Sequence, residues 1–263
     1  MKVALTIAGS DSSGGAGIVA DLKTFAAHGV WGAVAITAVT AQNTLGVQAF
    51  DPVTPELVRA QIASVAVDLG VDAAKTGMLA SAAVVEAVCQ TVAELGVGPL
   101  VVDPVLVSKH GDRLLAPDAV VALRDTLLPL ATVVTPNLPE AEALVGFPVR
   151  DRDGMEAAAR ALLELGPAVV LVKGGHLGGD TSPDCLMVAG AADGPVWLEG
   201  ARIAGRHTHG TGCVLSAAVC AELARGMEPA DACVAAKRFV EKAIAAGVDL
   251  GSGVGPVNPA WQQ

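Results

Sequence analysis

Ala168-Val169-Val170-Leu171-Val172-Lys173 carries no polar side chain until its last position. A strand that is apolar on both faces must be covered on both faces, as in a parallel sheet flanked by helices. Leu100-Val101-Val102-Asp103 and Thr132-Val133-Val134-Thr135 have the same character. Longer, Ala-rich stretches with helical spacing lie between such runs. This alternation predicts a doubly wound α/β fold: a central, mostly parallel sheet with helices on both faces.

Taken in order, strands are predicted at 3–7, 34–40, 73–77, 100–103, 132–135 and 168–173, with an edge hairpin from 185–188 and 196–198. Helices are predicted from Ile18 to just before Gly29, then at 54–69, 81–96, 118–128, 139–145, 155–165, 213–225 and 229–246. No repeat, charge block or linker interrupts the chain, so residues 1–263 are read as one domain.

Composition restricts the partners. The chain is 52% hydrophobic with a mean hydropathy of +0.53, yet it holds no uninterrupted apolar run of bilayer length and no leader-like start. A cytoplasmic location is expected. A net charge of −10 without a Lys/Arg cluster, and only 3% aromatics, argue against nucleic acid or membrane as a partner. Five cysteines form no CxxC pair, which suits a reducing compartment. His207 and His209 lack zinc-ligand spacing.

In such folds ligands bind beyond the carboxyl ends of the strands. Ser10 and Asp11, Thr40 and Gln42, Lys75 and Met78, Asp103, Asn137 and Glu140, and Lys173 all follow predicted strands. Asp103, before Pro104, suits either a Mg²⁺ or phosphate role or a turn. Asn137 and Glu140 have capping-box spacing, and a capped helix start is also a good place for a carboxylate near metal or phosphate. Lys173 can supply local positive charge. The Gln42 amide offers one donor and one acceptor, matching an aminopyrimidine edge, or it bonds its own loop.

His209-Gly210-Thr211-Gly212-Cys213 enters a predicted helix, whose first backbone N–H groups lack intrahelical partners and favour negative charge. Gly210 and Gly212 then form an anion hole for a transferring phosphoryl group, and the helix start lowers the Cys213 thiol pKa for use as a base. A cysteine that merely packs is the other reading. Gly174–Thr181 resembles a Walker A loop but has Asp180 where the lysine must stand, and the loop 9–17 misses the dinucleotide glycine order.

Together these residues resemble a known family. Ala8-Gly9-Ser10-Asp11-Ser12-Ser13-Gly14-Gly15-Ala16-Gly17, Ala20-Asp21-Leu22-Lys23-Thr24, Lys75-Thr76-Gly77-Met78, Thr135-Pro136-Asn137-Leu138-Pro139-Glu140 and Thr208-His209-Gly210-Thr211-Gly212-Cys213 are similar to the hydroxymethylpyrimidine/phosphomethylpyrimidine kinases of thiamine biosynthesis. The resemblance spans the chain and implies a ribokinase-like fold. It implies ATP and Mg²⁺ as cofactors, and phosphorylation of the hydroxymethylpyrimidine and of its monophosphate. Gly9, Asp21, Gln42 and Met78 would surround the pyrimidine. Asn137, Lys173 and Thr208 would meet the nucleotide, Asp103 and Glu140 the metal, and Gly210, Gly212, Cys213 and Lys173 would carry catalysis. A homodimer is implied as well. Leu106 and Ser108 depart from the methionine and alanine expected there, and a chain ending near Gln263 leaves no room for a fused thiamine-phosphate synthase domain. A pyridoxal/pyridoxine kinase and a non-catalytic pyrimidine sensor are the competing readings.

Overall fold

The structure, a computed structural model, describes residues 1–106, 116–192 and 194–262. Ser108 therefore lies outside the described residues, whereas Leu106 is buried in the core.

In chain order the strands are β1 (Val3–Ala8), β2 (Trp31–Ile36), β3 (Ala38–Asn43), β4 (Gly46–Pro52), β5 (Ala73–Thr76), β6 (Leu100–Val102), β7 (Val133–Val134), β8 (Val169–Val172), β9 (Asp184–Val188), β10 (Val196–Leu198), β11 (His207–His209) and β12 (Gly255–Pro256). The helices are α1 (Gly17–Ala27), α2 (Pro55–Asp68), α3 (Ala82–Leu95), α4 (Pro117–Ala122), α5 (Leu138–Val145), α6 (Arg152–Leu163), α7 (Thr211–Ala224) and α8 (Pro229–Ala245).

Eight strands form one sheet in the order β10-β9-β8-β7-β6-β5-β1-β2. β2, β1, β5, β6, β7 and β8 run parallel, and β9 and β10 are added antiparallel at the edge. The apolar strands behave as their composition requires. Val102, Val170 and Val172 join a core on one face, while Val101, Val169 and Leu171 join a second core on the other. Successive side chains point to opposite faces of a strand, so both faces must be apolar when both are covered. α7 is buried from Val214 to Ala224, packed between the sheet, α1 and α8, which explains its lack of a polar stripe.

Local signals set the helix ends. Thr54 caps α2 ahead of Pro55, Ser81 caps α3, and Gly96 closes α3 in the left-handed region at φ 62°. Two expectations are corrected. The segment predicted as one strand at 34–40 is divided at Thr37 into β2 and β3. Thr37 N donates to the Ala8 carbonyl and its hydroxyl to the Met78 carbonyl, so the chain leaves the sheet there and folds back with β4 as a separate hairpin. The helix predicted at 118–128 is α4 followed by a π turn, Leu123–Leu127, and a 3₁₀ turn, Leu128–Leu130; Pro129 lacks the N–H that would continue an α-helix.

Candidate active site

Because β1, β5, β6, β7 and β8 are parallel, Gly9, Met78, Asp103, Asn137 and Lys173 emerge along one edge of the sheet. With the Thr208–Cys213 segment they line a cavity of about 450 Å³.

At its centre Lys173 Nζ lies 2.9 Å from Asp103 Oδ1 and 3.9 Å from Glu140 Oε2. Asp103 also accepts from Thr135 Oγ1 at 3.3 Å and from Ser216 Oγ at 3.2 Å. Burial opposes its ionisation, but Lys173 and Lys75 outweigh that and hold its carboxyl below the ordinary range. Burial likewise works against the Lys173 charge, and Asp103 and Glu140 raise its pKa in spite of it. For Glu140, burial pushes the carboxyl up to about 7, with Lys173 working against the rise and Asp103 adding to it. The capping box foreseen at α5 is complete: Asn137 Oδ1 accepts from Glu140 N at 2.9 Å, and Glu140 Oε2 from Asn137 N at 2.8 Å.

Gly210 caps α7 at φ 81°, a left-handed conformation open to glycine, and a Cβ there would stand 1.9 Å from the Gly15 carbonyl oxygen. A Cβ on Gly212 would face Lys173 Nζ at 3.4 Å. The free N–H groups of the α7 start therefore lie beside the one ammonium shared by Asp103 and Glu140. That arrangement suits an anion better than either part alone.

Cys213 lines the cavity, half-buried, but the lowered thiol pKa is not what the structure supports. Burial pushes the thiol up to about 12; Lys75 and the Gly17 N–H pull it down, while Asp21 and Asp103 push it further up. The residue keeps some surface in the cavity, where water tempers the rise without reversing it. Desolvation wins over the helix terminus, and the thiol is protonated at neutral pH.

Asp21, expected beside the pyrimidine, is placed elsewhere. Fully buried, it lies behind the cavity wall and does not line it. Both its oxygens are 3.1 Å from Lys75 Nζ, and one accepts from Thr6 Oγ1 at 2.6 Å. Burial raises this carboxyl, but the paired contacts are those of an ion pair, and Lys75 is held cationic chiefly by Asp21, with Asp103 adding, against its own desolvation. Lys75 itself lines the cavity, so Asp21 reaches the site only through it. A sequence signal existed: Ile18, Asp21 and Phe25 share the inward stripe of α1, and an acid on such a stripe needs a buried partner.

Gly9, Ser10, Gln42 and Met78 also line the cavity, with the Met78 sulfur against Gly9. Gln42 sits at a register shift in the β3–β4 hairpin, a bulge that re-aims its side chain. Thr208 lies on β11 at the cavity rim, and a further lobe passes Ser182, Asp184, Lys237 and Ile244.

Among the described residues no group of three or more His, Cys, Asp or Glu side chains can hold a metal. Asp103 and Glu140, two carboxylates around one ammonium, fit an ion that takes most of its ligands from water and phosphate, as Mg²⁺ does.

The sequence and fold have clear relatives. A family model described as phosphomethylpyrimidine kinase matches residues 11–258. The hydroxymethylpyrimidine/phosphomethylpyrimidine kinase of Streptomyces coelicolor is 53% identical over 260 residues, covering 98% of this chain and 94% of that protein. An ADP complex of Bacillus subtilis pyridoxal kinase superposes with a TM-score of 0.92 at 42% identity, covering 100% of this chain and 98% of that one. The phosphomethylpyrimidine kinase of Clostridium difficile gives a TM-score of 0.81 at 40% identity, covering 93% and 100%.

Proposed function

Since the chain belongs to the phosphomethylpyrimidine kinase family, with a ribokinase-like fold, we propose that it transfers the γ-phosphoryl group of ATP to the hydroxymethyl oxygen of 4-amino-5-hydroxymethyl-2-methylpyrimidine and, in a second turnover, to the resulting monophosphate. The observation that carries this reading is the Lys173 ammonium facing the open start of α7, which together supply fixed N–H donors for a transferring phosphoryl group.

In this reading Gln42, Met78 and Gly9 hold the pyrimidine, and Asn137, Lys173 and Thr208 contact the nucleotide. Asp103 and Glu140 hold Mg²⁺, which when bound neutralises phosphate charge. The N–H groups from Gly210 to Cys213 and Lys173 stabilise charge on the phosphoryl oxygens as the new O–P bond forms and the bond to ADP breaks. Cys213 starts as a thiol. It therefore acts as a relay: sulfur takes the hydroxyl proton as its own proton passes on to solvent. Lys75, kept cationic by Asp21, favours release of the sulfur's own proton in that exchange.

Residues 1–263 then act as one kinase domain, as a homodimer in the cytoplasm. Exposed Val39, Leu45 and Phe50 on the hairpin support a dimer face, and five unpaired cysteines suit a reducing compartment. Among the described residues no helix is long and apolar enough to cross a membrane.

Pyridoxal is the second acceptor to test, because the Bacillus subtilis pyridoxal kinase superposes so well. ADP release is measured with MgATP and hydroxymethylpyrimidine, its monophosphate, or pyridoxal. Turnover with the first two is expected. Turnover with pyridoxal alone would transfer the assignment to the vitamin B6 reaction, and no ADP with any acceptor would favour a non-catalytic sensor.

A further inference from the structure

Three consecutive residues of the first loop reach two different parts of the cavity. Ser10 and Ser12 hold the hairpin. Thr40 N donates to Ser10 Oγ at 3.0 Å, and Thr40 Oγ1 to the Ser10 carbonyl at 2.9 Å. Ser12 Oγ accepts from Gln42 N at 2.8 Å and donates to the Gln42 carbonyl at 2.9 Å. Asp11, between them, reaches the opposite way: its Oδ2 lies 2.7 Å from Nε2 of His209, 198 residues along the chain.

This contact is fully enclosed, Asp11 being 2% and His209 3% exposed. The carboxylate is saturated: Oδ2 also accepts from Ala16 N at 2.8 Å, and Oδ1 from Ser13 N at 2.8 Å and Ser13 Oγ at 2.7 Å. Burial works against ionisation of Asp11, but His209 and Ser13 overcome it and hold the carboxyl below its ordinary range, so it is the acceptor and Nε2–H the donor. The two loops are packed closely against each other. A Cβ on Gly15 would stand 2.5 Å from His209 Cδ2, and one on Gly210 would meet the Gly15 oxygen. The His209 carbonyl is fixed from behind by Val257 N at 3.1 Å.

His209 immediately precedes the Gly210–Cys213 start of α7, and both His209 and Gln42 line the cavity. No strand of the main sheet contains either residue. The Ser10-Asp11-Ser12 segment grips both, alongside a second tie in which the Thr44 carbonyl at the hairpin turn accepts from Val254 N at 2.9 Å, next to β12, the partner of β11.

We propose that Asp11 and His209 are positioning residues: the buried pair sets the anion-binding start of α7 against the Gln42 hairpin, so that the acceptor hydroxyl and the phosphoryl group meet in line. The role rests on the kinase reading above. It differs from that of a staple that only stabilises the fold, because a small displacement of reacting groups costs about 100-fold in rate while leaving each ligand's own contacts in place.

The test uses the full chain carrying Asp11→Asn, His209→Leu or His209→Gln, the last retaining an N–H donor. kcat and KM are measured for MgATP and hydroxymethylpyrimidine, acceptor affinity without nucleotide by calorimetry, and folding by thermal melting. Expected is a kcat loss of roughly 30- to 100-fold for His209→Leu and Asp11→Asn. Acceptor Kd stays close to that of the unsubstituted chain, and His209→Gln recovers much of the rate. An unchanged kcat in a folded His209→Leu protein would overturn the proposal. So would a fall in acceptor affinity that accounts for the whole loss of kcat/KM, or unfolding of even the near-isosteric Asp11→Asn. If the unsubstituted chain itself releases no ADP, the kinase reading fails first and takes this role with it; turnover with insensitive variants refutes this role alone.

Discussion

At the Lys173 end of the cavity, charge is fixed by charge: Lys173 against Asp103 and Glu140, on strand ends and the first turn of a capped helix, and Lys75 on β5 against Asp21 on the buried stripe of α1. At the Gln42 end the wall is Gly9, Met78 and a hairpin that leaves the sheet at Thr37 and is held through serine and backbone contacts. The first end is shaped by the main sheet and cannot shift without moving it. At the second, Gln42 sits on a small separate element, the β3–β4 hairpin, which pairs outside the main sheet. Under the proposed function, phosphoryl chemistry and acceptor choice are thereby assigned to different parts of the structure. Relatives named for pyrimidine and for pyridoxal substrates share the same backbone in keeping with that division.

The contrast breaks if substitutions at the two ends have similar consequences. The largest effect is expected at Lys75→Met, which strands the buried Asp21 carboxylate and costs about 3–5 kcal/mol in urea unfolding; an unshifted midpoint would show that the pair contributes nothing to the frame. Next comes Lys173→Ala, with kcat lowered about 10²- to 10³-fold and acceptor affinity retained. Cys213→Ala belongs in the same class, lowering kcat about 10²-fold, far more than it raises KM; equal kinetics would mean that the thiol only packs. Gln42→Ala should cost about tenfold in kcat/KM for the pyrimidine and leave folding stability nearly unchanged, as one lost hydrogen bond implies. A large loss of stability there would erase the distinction between the ends.

The smallest signal is the alkylation of Cys213 by iodoacetamide in the free protein. With its pKa raised to about 12, the thiol is protonated below that value, so the rate should be slow near neutrality and still climbing beyond pH ~9. A plateau near neutral pH would mean a preformed thiolate and would restore Cys213 as a direct base.

Much of the site was legible because strand ends are legible. A buried apolar run that stops at Asp103 or Lys173 announces both the strand and the polar group at its carboxyl end, and the Asn137/Glu140 spacing announces a capped helix. Asp21 was misplaced because a motif tells which residues matter without telling which face of α1 they occupy. The hairpin was missed because β2 and β3 are separated by a single residue, Thr37, whose β-branched side chain suits a strand as well as a break.

By itself the sequence determined the order of the main-sheet strands and their flanking helices, the apolar cover on both sheet faces and the identity of the strand-end residues, since these depend on neighbours a few positions away. Tertiary structure alone decided that Lys173 sits between two carboxylates, that Asp11 meets His209, and that Cys213 holds its proton. Those outcomes depend on distances between groups remote in the chain and on how much water each has lost, and no local pattern encodes either quantity.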